Sequence, residues 1–354
     1  MTRSPISLPA RDDIRRILIL KWSAMGDVVI ATAVMEDVAR AFPDAEIDLN
    51  TLPPWDRMFA HDPRFSKVIA PDLRGGQGGI KGTLNWLGIM RRGRYDLVID
   101  LQSNDRSRLL LGLLTLIGPK PRWRLGIHDR FPYNISPGAI DPKIHAHEGQ
   151  KLALAAAGIP TVTDRPRLYP ADGHVAHAKE IMAEHGLTPG AYAIFLPGSQ
   201  AAGYLKRWGA ARYAALAEKL RAAGLEKSVL IGGPDETDEC DAIEKLGGDA
   251  IVNLCGKTHL LEIVPIVDGA KLVVGNDTGT AHIAAASGKP MTIVCGPTDP
   301  ARVKPVGPRV KTLQADLDCI NCYCKAPCDH HSCMLEITPD MVLESLDPAL
   351  RVPS

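Results

Sequence analysis

The chain of 354 residues carries no charge excess, with 41 Lys and Arg against 41 Asp and Glu. A protein that binds nucleic acid across its surface needs a basic surplus, so bulk electrostatics argue against that class and leave room only for local basic patches. No apolar run approaches the roughly 18 residues of a bilayer span. The opening stretch, MTRSPISLPARDDIRR, lacks an apolar core of signal-peptide length, and the expectation is a cytoplasmic protein. Neither half contains the Gly-x-Gly-x-x-Gly turn of a dinucleotide site, which weakens a nicotinamide oxidoreductase reading. No repeat with a period of about 20–50 residues is present, so no solenoid or propeller is expected.

What is present is ordinary globular material, 45% apolar and 23% charged, enough for two domains that each bury a core. The patterning alternates strand and helix. Ile17–Leu20 reads as a buried strand, Ala24-Met25-Gly26-Asp27 as a turn, and Val28–Phe42 as a helix with Val29, Ala33, Val34 and Val38 on one face. Strands are predicted at Glu46–Asn50, Lys67–Ala70 and Leu97–Leu101, with RGGQGGIKG (Arg74–Gly82) as a glycine-rich connection. After a proline-rich linker at Pro160–Pro170 the alternation resumes. Strands are expected at Ala193–Leu196, Ser228–Ile231, Ile251–Leu254, Leu272–Val274 and Met291–Val294. Repeated βα units imply parallel sheets with helices on both faces, and two such halves make a cleft beyond the carboxyl ends of the strands.

The most informative stretch is VVGNDTGTAHIAAASGKP, beginning at Val273. A strand runs into Gly275-Asn276-Asp277-Thr278-Gly279 and then a small-residue helix. That arrangement presents backbone N–H groups to an anion, with Asp277 or Thr278 as the helix cap, Gly279 admitting a phosphate to the main chain and His282 one turn inside. Phe195-Leu196-Pro197-Gly198-Ser199 follows the same logic, leading to Lys206-Arg207-Trp208. Ser199 adds donors and Lys206 a compact positive charge suited to a diphosphate. Trp208 is expected to pack the following helix rather than stack on a base. Ile231-Gly232-Gly233-Pro234-Asp235-Glu236 ends a strand, and Glu236 could accept from ribose hydroxyls. In the first half, Asp27 follows Gly26 at a strand-to-helix transition. It could serve as a general base or simply favour the helix N-terminus.

Together these residues resemble the glycosyltransferase family that includes the ADP-heptose:lipopolysaccharide heptosyltransferases, glycosyltransferase family 9. The likeness covers nearly the whole chain and rests on MGDVVIATAV, DLVIDLQSNDRS, LPGSQAAGYLKRW, GGPDE, NDTGTAHIAAASGKP and CGPTDP. It implies an α/β GT-B fold of two facing Rossmann-like domains with parallel sheets and a cleft between them. The expected division is 1–165 for the acceptor, 166–335 for the nucleotide sugar, and a C-terminal helix in 336–354 that crosses back to the first domain. It also implies an inverting, metal-independent transfer of a sugar, heptose from ADP-heptose, to a lipopolysaccharide core or related glycan. Asp27 becomes the general base and Lys206 the lysine that stabilises the leaving diphosphate. Ser199, Glu236, Asp277, Thr278, Gly279 and His282 become donor contacts, and Gln102 and Arg106 acceptor contacts. No cofactor is required, no nucleic acid is involved, and a lipid-linked acceptor implies weak peripheral contact with the inner face of the cytoplasmic membrane. A UDP- or GDP-sugar transferase, a 2-epimerase of the same fold, and a non-catalytic sugar-nucleotide-binding protein remain alternatives.

Five of the eight cysteines, Cys319, Cys322, Cys324, Cys328 and Cys333, fall within fifteen residues. With His330 and His331 among them, they could hold a structural metal, form a disulfide staple, or stay reduced and packed. Cys240, Cys255 and Cys295 stand singly in apolar or helical contexts and are expected to be buried.

Overall fold

The computed structural model describes residues 7–71, 79–118, 120–199, 201–323 and 328–346, and the chain divides into two compact units, Met1–Tyr169 and Pro170–Ser354. The division falls within the proline-rich stretch that the sequence marks as a linker.

The first unit runs β1 (Arg16–Leu20), α1 (Met25–Ala41), β2 (Glu46–Asn50), β3 (Lys67–Ile69), α2 (Ile80–Gly93), β4 (Leu97–Asp100), α3 (Asp105–Ile117), β5 (Trp123–Gly126) and α4 (Ala146–Ala156). Its strands form one parallel sheet in the order β3-β2-β1-β4-β5, with Leu18 of β1 in register with Asp48 and Val98. Ile17, Leu18, Ile19 and Leu20 are all fully buried, as a strand covered on both faces requires. Helices α2 and α3 contribute Trp86, Leu87, Met90, Leu110, Leu111 and Leu114 to one cluster with Leu18, Leu20 and Val98, so they lie on the same face of the sheet.

The second unit runs α5 (Asp172–Glu184), β6 (Tyr192–Leu196), α6 (Ala210–Ala222), β7 (Lys227–Leu230), α7 (Thr237–Gly247), β8 (Ile251–Asn253), α8 (Ile263–Gly269), β9 (Leu272–Asn276), α9 (Gly279–Ala285), β10 (Met291–Cys295), α10 (Pro300–Val303), β11 (Val310–Gln314), α11 (Ser332–Leu335) and α12 (Pro339–Ser345). The sheet order is β11-β10-β9-β6-β7-β8, all parallel. Read from β8, this is the Rossmann order, and the chain reverses its direction of travel between β6 and β9. The first unit has the same switch between β1 and β4. Ligands in such sheets bind beyond the carboxyl ends of the strands at the switch. The residues that follow β1, β4, β6 and β9 are therefore the ones the topology gathers for chemistry.

The structure departs from the sequence reading at particular places. Ile80, Lys81 and Gly82 belong to α2 rather than to the glycine-rich connection, while 74–78 of that connection lie outside the described residues. Trp208 packs on the next helix as expected, its ring edge-on to Tyr213 at 5.0 Å, and its Nε1–H donates to Ile337 O. The C-terminal helix α12 sits within the second unit's own core through Val342, and Lys219 of α6 pairs with its Asp340 at 2.7 Å. Chain beyond residue 346, where a crossing would continue, is outside the described residues. Among the described residues no helix is long and apolar enough to cross a membrane.

Candidate active site

In the first unit the loop from β1 into α1 is shaped by the loop that follows β4. Gln102 Oε1 accepts from the N–H groups of Trp22 (2.9 Å) and Ser23 (3.2 Å), which fastens the segment leading to Asp27. Asp27 is half-buried in the first turn of α1, and its Oδ2 accepts from Ala24 N–H at 3.3 Å. The helix-terminus role of this carboxylate and a catalytic one are therefore compatible, since a single long hydrogen bond to one oxygen fixes its direction. Beneath it lies Lys21, 5% exposed, which sequence reading passed over. Burial pulls its ammonium pKa down, and the negative charges of Asp27 and Asp100 raise it again. Asp100 is not itself a base candidate. Its Oδ1 accepts from Gln102 N–H and Ser103 N–H, its Oδ2 from Tyr133 OH at 2.7 Å, and burial pushes its pKa up. Arg106 is exposed in the first turn of α3, and Arg108 pairs with Asp105 at 2.9 Å.

In the second unit the ends of β6 and β9 are joined by Asn276, fully buried. Its Nδ2 donates to Pro197 O, and its Oδ1 accepts from Tyr213 OH at 3.1 Å. This brace brings the lysine loop to the Asn276–Gly279 turn. Lys206 Nζ donates to Asp277 Oδ2 at 2.8 Å, and Thr298 Oγ1, from the loop after β10, donates to the same oxygen at 3.0 Å. Lys206 is partly exposed and Asp277 nearly enclosed, so the cation is the outward member of the pair. Helix α9 begins at Gly279 with Thr278 at its N-cap, but neither expected side chain caps it. The Asp277 carboxylate is engaged by Lys206, and the Thr278 hydroxyl is turned to Glu236. His282 is buried within α9. Ser199 is also buried, and its hydroxyl donates to Gly203 O at 2.6 Å, closing the loop on itself. Side-chain size matters at Gly203, where a methyl would lie 3.2 Å from Ser199 Oγ.

Glu236 occupies a slot made by glycine. A methyl on Gly198 would fall 2.1 Å from its Cδ, and one on Gly232 would fall 2.5 Å from its Oε2. Its Oε2 accepts from Gly233 N–H at 2.7 Å, and burial is the largest influence, raising its pKa above the usual carboxylate value. A ribose hydroxyl donates better to the ionised form, so a nucleoside held by Glu236, as the family resemblance implies, would draw the proton off. Nucleoside diphosphate affinity is therefore expected to rise as pH climbs from the ordinary carboxylate range through the raised pKa, and then to level off. Glu236→Gln is expected to flatten that part of the profile. Calorimetric titrations of both proteins against pH, subtracted to remove the phosphate's own ionisation, check this. Parallel profiles would show that Glu236 has no part in binding.

The cysteine-rich segment lies beside this loop. His331 Nε2 is 2.6 Å from Leu205 O, immediately before Lys206, and its backbone N–H lies 3.4 Å from Cys328 Sγ. Cys319 and Cys322 are exposed, Cys328 is half-buried, Cys333 is packed in the core, and Cys324 lies outside the described residues. Among the described residues no three metal-ligating side chains gather into a group. Cys240, Cys255 and Cys295 are buried, and burial pushes the Cys295 thiol up to about 12. The chain's single Asp-x-Asp spacing, Asp316 and Asp318, is exposed after β11.

Comparison with known proteins places these loops in context. The sequence matches glycosyltransferase family 9 (heptosyltransferase) over residues 88–331. It is 27% identical over 348 residues to lipooligosaccharide heptosyltransferase 2 of Haemophilus influenzae, covering 94% of this chain and 99% of that one. The fold is similar to a glycosyl transferase family 9 structure from Veillonella parvula, with TM-score 0.81 and 21% identity over 96% of this chain and 98% of the other. It is also similar to E. coli ADP-heptose lps heptosyltransferase II, with TM-score 0.71 and 22% identity over 95% of this chain and 98% of that structure.

Proposed function

Because this chain belongs to glycosyltransferase family 9 and is a glycosyltransferase, we propose that it moves a heptose from ADP-heptose to a hydroxyl of a lipopolysaccharide core or related lipid-linked glycan. The observation that carries the donor side is the meeting of Lys206 with Asp277 at 2.8 Å at the Rossmann switch point, 71 residues apart in sequence. A lone lysine on a loop would be solvated. One drawn to the turn before α9, braced by Asn276, forms a mouth for an anion.

In this reading the diphosphate lies against Lys206 and the backbone of the Ser199 and Thr278–Gly279 turns. Glu236 holds the ribose, and Asp277 and His282 face the sugar. Asp27 takes the proton of the acceptor hydroxyl as its oxygen bonds to the anomeric carbon. The bond from that carbon to the diphosphate breaks on the opposite side, the electron pair leaves with ADP, and the configuration inverts. Lys206 stabilises the charge that develops on the leaving group, so the reaction calls for no divalent ion. Gln102 and Arg106 stand at the acceptor end, Gln102 chiefly by holding the Asp27 loop and Arg106 as an exposed cation for an anionic glycan. The cysteine segment supports the lysine loop through His331, with or without a structural metal. A lipid-linked acceptor puts the enzyme to work at the inner face of the cytoplasmic membrane.

Donor choice is tested by calorimetric binding of ADP, UDP and GDP, followed by transfer assays with the corresponding sugars. Selective ADP binding is expected. Preference for UDP or GDP would replace the heptose donor with another nucleotide sugar, and failure to bind all three would favour a non-catalytic role.

A further inference from the structure

The first unit carries a surface that the transfer chemistry does not use. Helices α2 and α3 lie side by side on one face of the sheet, and each buries one side and exposes the other. Along α3 the outward stripe reads Leu109, Leu113, Leu116 and Ile117, spaced as one helical face. Leu109 is 64% exposed, Leu116 71% and Ile117 56%. Ile80 and Leu84 are exposed on α2, and Phe131 rests against α3, where a methyl on Gly112 would lie 3.3 Å from its ring. Six of the twelve large apolar side chains that the described residues expose come from this one region. Scattered exposure would need no account, but a cluster does.

The charge there is as lopsided as the polarity. Residues 80–131 hold ten Lys and Arg against four Asp, in a chain whose totals balance at 41 each. The acids are already occupied. Asp96 Oδ2 accepts from the N–H groups of Arg15 and Arg16, Asp100 is buried, Asp105 is paired with Arg108, and Asp129 accepts from Ser136 Oγ. At the carboxyl ends of α2 and α3 a groove of about 960 Å³ is lined by Arg91, Arg92, Arg94, Lys120 and Arg122, with Asp96 as its one carboxylate. Among the described residues no carboxylate pairs with Arg91, Arg92, Arg94 or Lys120.

We infer that the outer face of α2 and α3 docks on an anionic lipid bilayer, with Leu84, Leu109, Leu116, Ile117 and Phe131 entering the headgroup boundary while the arginines and Lys120 meet lipid phosphates. Branched aliphatic side chains laid along two helices, with long cations at one end, suit an interface that is apolar below and charged above. A second copy of this chain fits poorly, because a symmetric contact would set ten cations and four carboxylates against the same ten and four, an unbalanced and repulsive pairing. Helix α3 starts one turn beyond Gln102, so docking this face brings the acceptor end of the first unit to the plane where a lipid-linked glycan emerges. In that respect the inference rests on the acceptor proposed above.

The test uses the full chain and vesicles that contain no glycan acceptor. Flotation with phosphatidylglycerol–phosphatidylethanolamine vesicles is expected to recover the protein, and phosphatidylcholine vesicles are expected not to. Two exposed arginines contribute about 1 kcal/mol each at such a surface, so Arg91→Gln with Arg92→Gln lowers vesicle affinity roughly thirtyfold. Leu116→Gln with Ile117→Gln is expected to abolish flotation at about 0.15 M salt, where electrostatics alone are screened. Both variants should keep wild-type melting temperatures and wild-type turnover on a short water-soluble acceptor. Unchanged flotation of either variant overturns the assignment, as does equal binding to neutral vesicles, or self-association that Leu116→Gln relieves. Loss of vesicle binding with soluble turnover intact isolates the surface. Absence of turnover in the wild type would instead strike at the transferase reading while leaving the vesicle result standing.

Discussion

Asp27→Asn is expected to lower kcat by roughly 10²–10⁴-fold while leaving nucleoside diphosphate affinity within about twofold of wild type. Asparagine keeps the size of the side chain and can still accept from Ala24 N–H, so the first turn of α1 is retained and a folding defect does not explain the loss. What disappears is a group able to take a proton. The neighbouring carboxylate provides the control. Asp100 is 1% exposed, and both its oxygens are engaged by Gln102, Ser103 and Tyr133. Asp100→Asn is therefore expected to destabilise the loop that holds Gln102 and to lower activity in step with melting temperature, without the selective loss seen at Asp27. Lys21 connects the two, because both carboxylates raise the pKa of its buried ammonium. Full turnover by Asp27→Asn would move the base elsewhere.

Much of this arrangement is legible in the amino-acid sequence. Strand-to-glycine transitions after Leu20 in the first unit and after Leu196, Ile231 and Asn276 in the second mark the carboxyl ends of parallel strands, and within one parallel sheet such ends lie on the same edge. Periodicity locates nearly every strand of the two sheets, the edge strands β3 and β8 included, but not the edge strands β5 and β11. β5 is a four-residue strand that follows Pro119-Lys120-Pro121, and β11 is only partly buried, so neither carries an apolar run to betray it. The partnerships at the site were also hidden. The asparagine of Asn-Asp-Thr-Gly reads as turn chemistry, yet Asn276 is fully buried and bridges two strand ends through a bond to Pro197, 79 residues away. Asp277 and Thr278 read as helix caps because local spacing favours that role. The lysine and the glutamate that claim them instead arrive from other βα units, and no local pattern encodes such a meeting. Lys21 escaped notice for a related reason. In RILILK it looks like the polar end of a strand, and only the packed structure shows it buried beside two acids.

The pairing of Lys206 with Asp277 sets up the second large effect. The lysine neutralises a nearly enclosed carboxylate at the point where the proposed mechanism seats the diphosphate. A bound diphosphate needs the same ammonium, so Lys206 must serve both anions at once or exchange one for the other. Lys206→Met retains the aliphatic stem and removes the charge. It is expected to weaken nucleoside diphosphate binding and to cut kcat by about 10²–10³-fold, the range seen when one donor to a developing negative charge is lost. Asp277→Asn is predicted to act in the opposite sense on binding. Removing a negative charge beside the phosphates strengthens ADP affinity, yet turnover falls if Asp277 also holds the sugar. The double variant distinguishes a direct role for the lysine from mere compensation of Asp277. If Lys206 only screens Asp277, then Lys206→Met with Asp277→Asn regains wild-type affinity and rate. If Lys206 contacts the diphosphate itself, affinity recovers in part while kcat stays low, and the coupling energy from the four proteins measures the shared portion. Calorimetry with ADP and steady-state kinetics on the four proteins give both quantities, and Lys206→Met with unaltered affinity and rate would remove the lysine from the proposed mechanism.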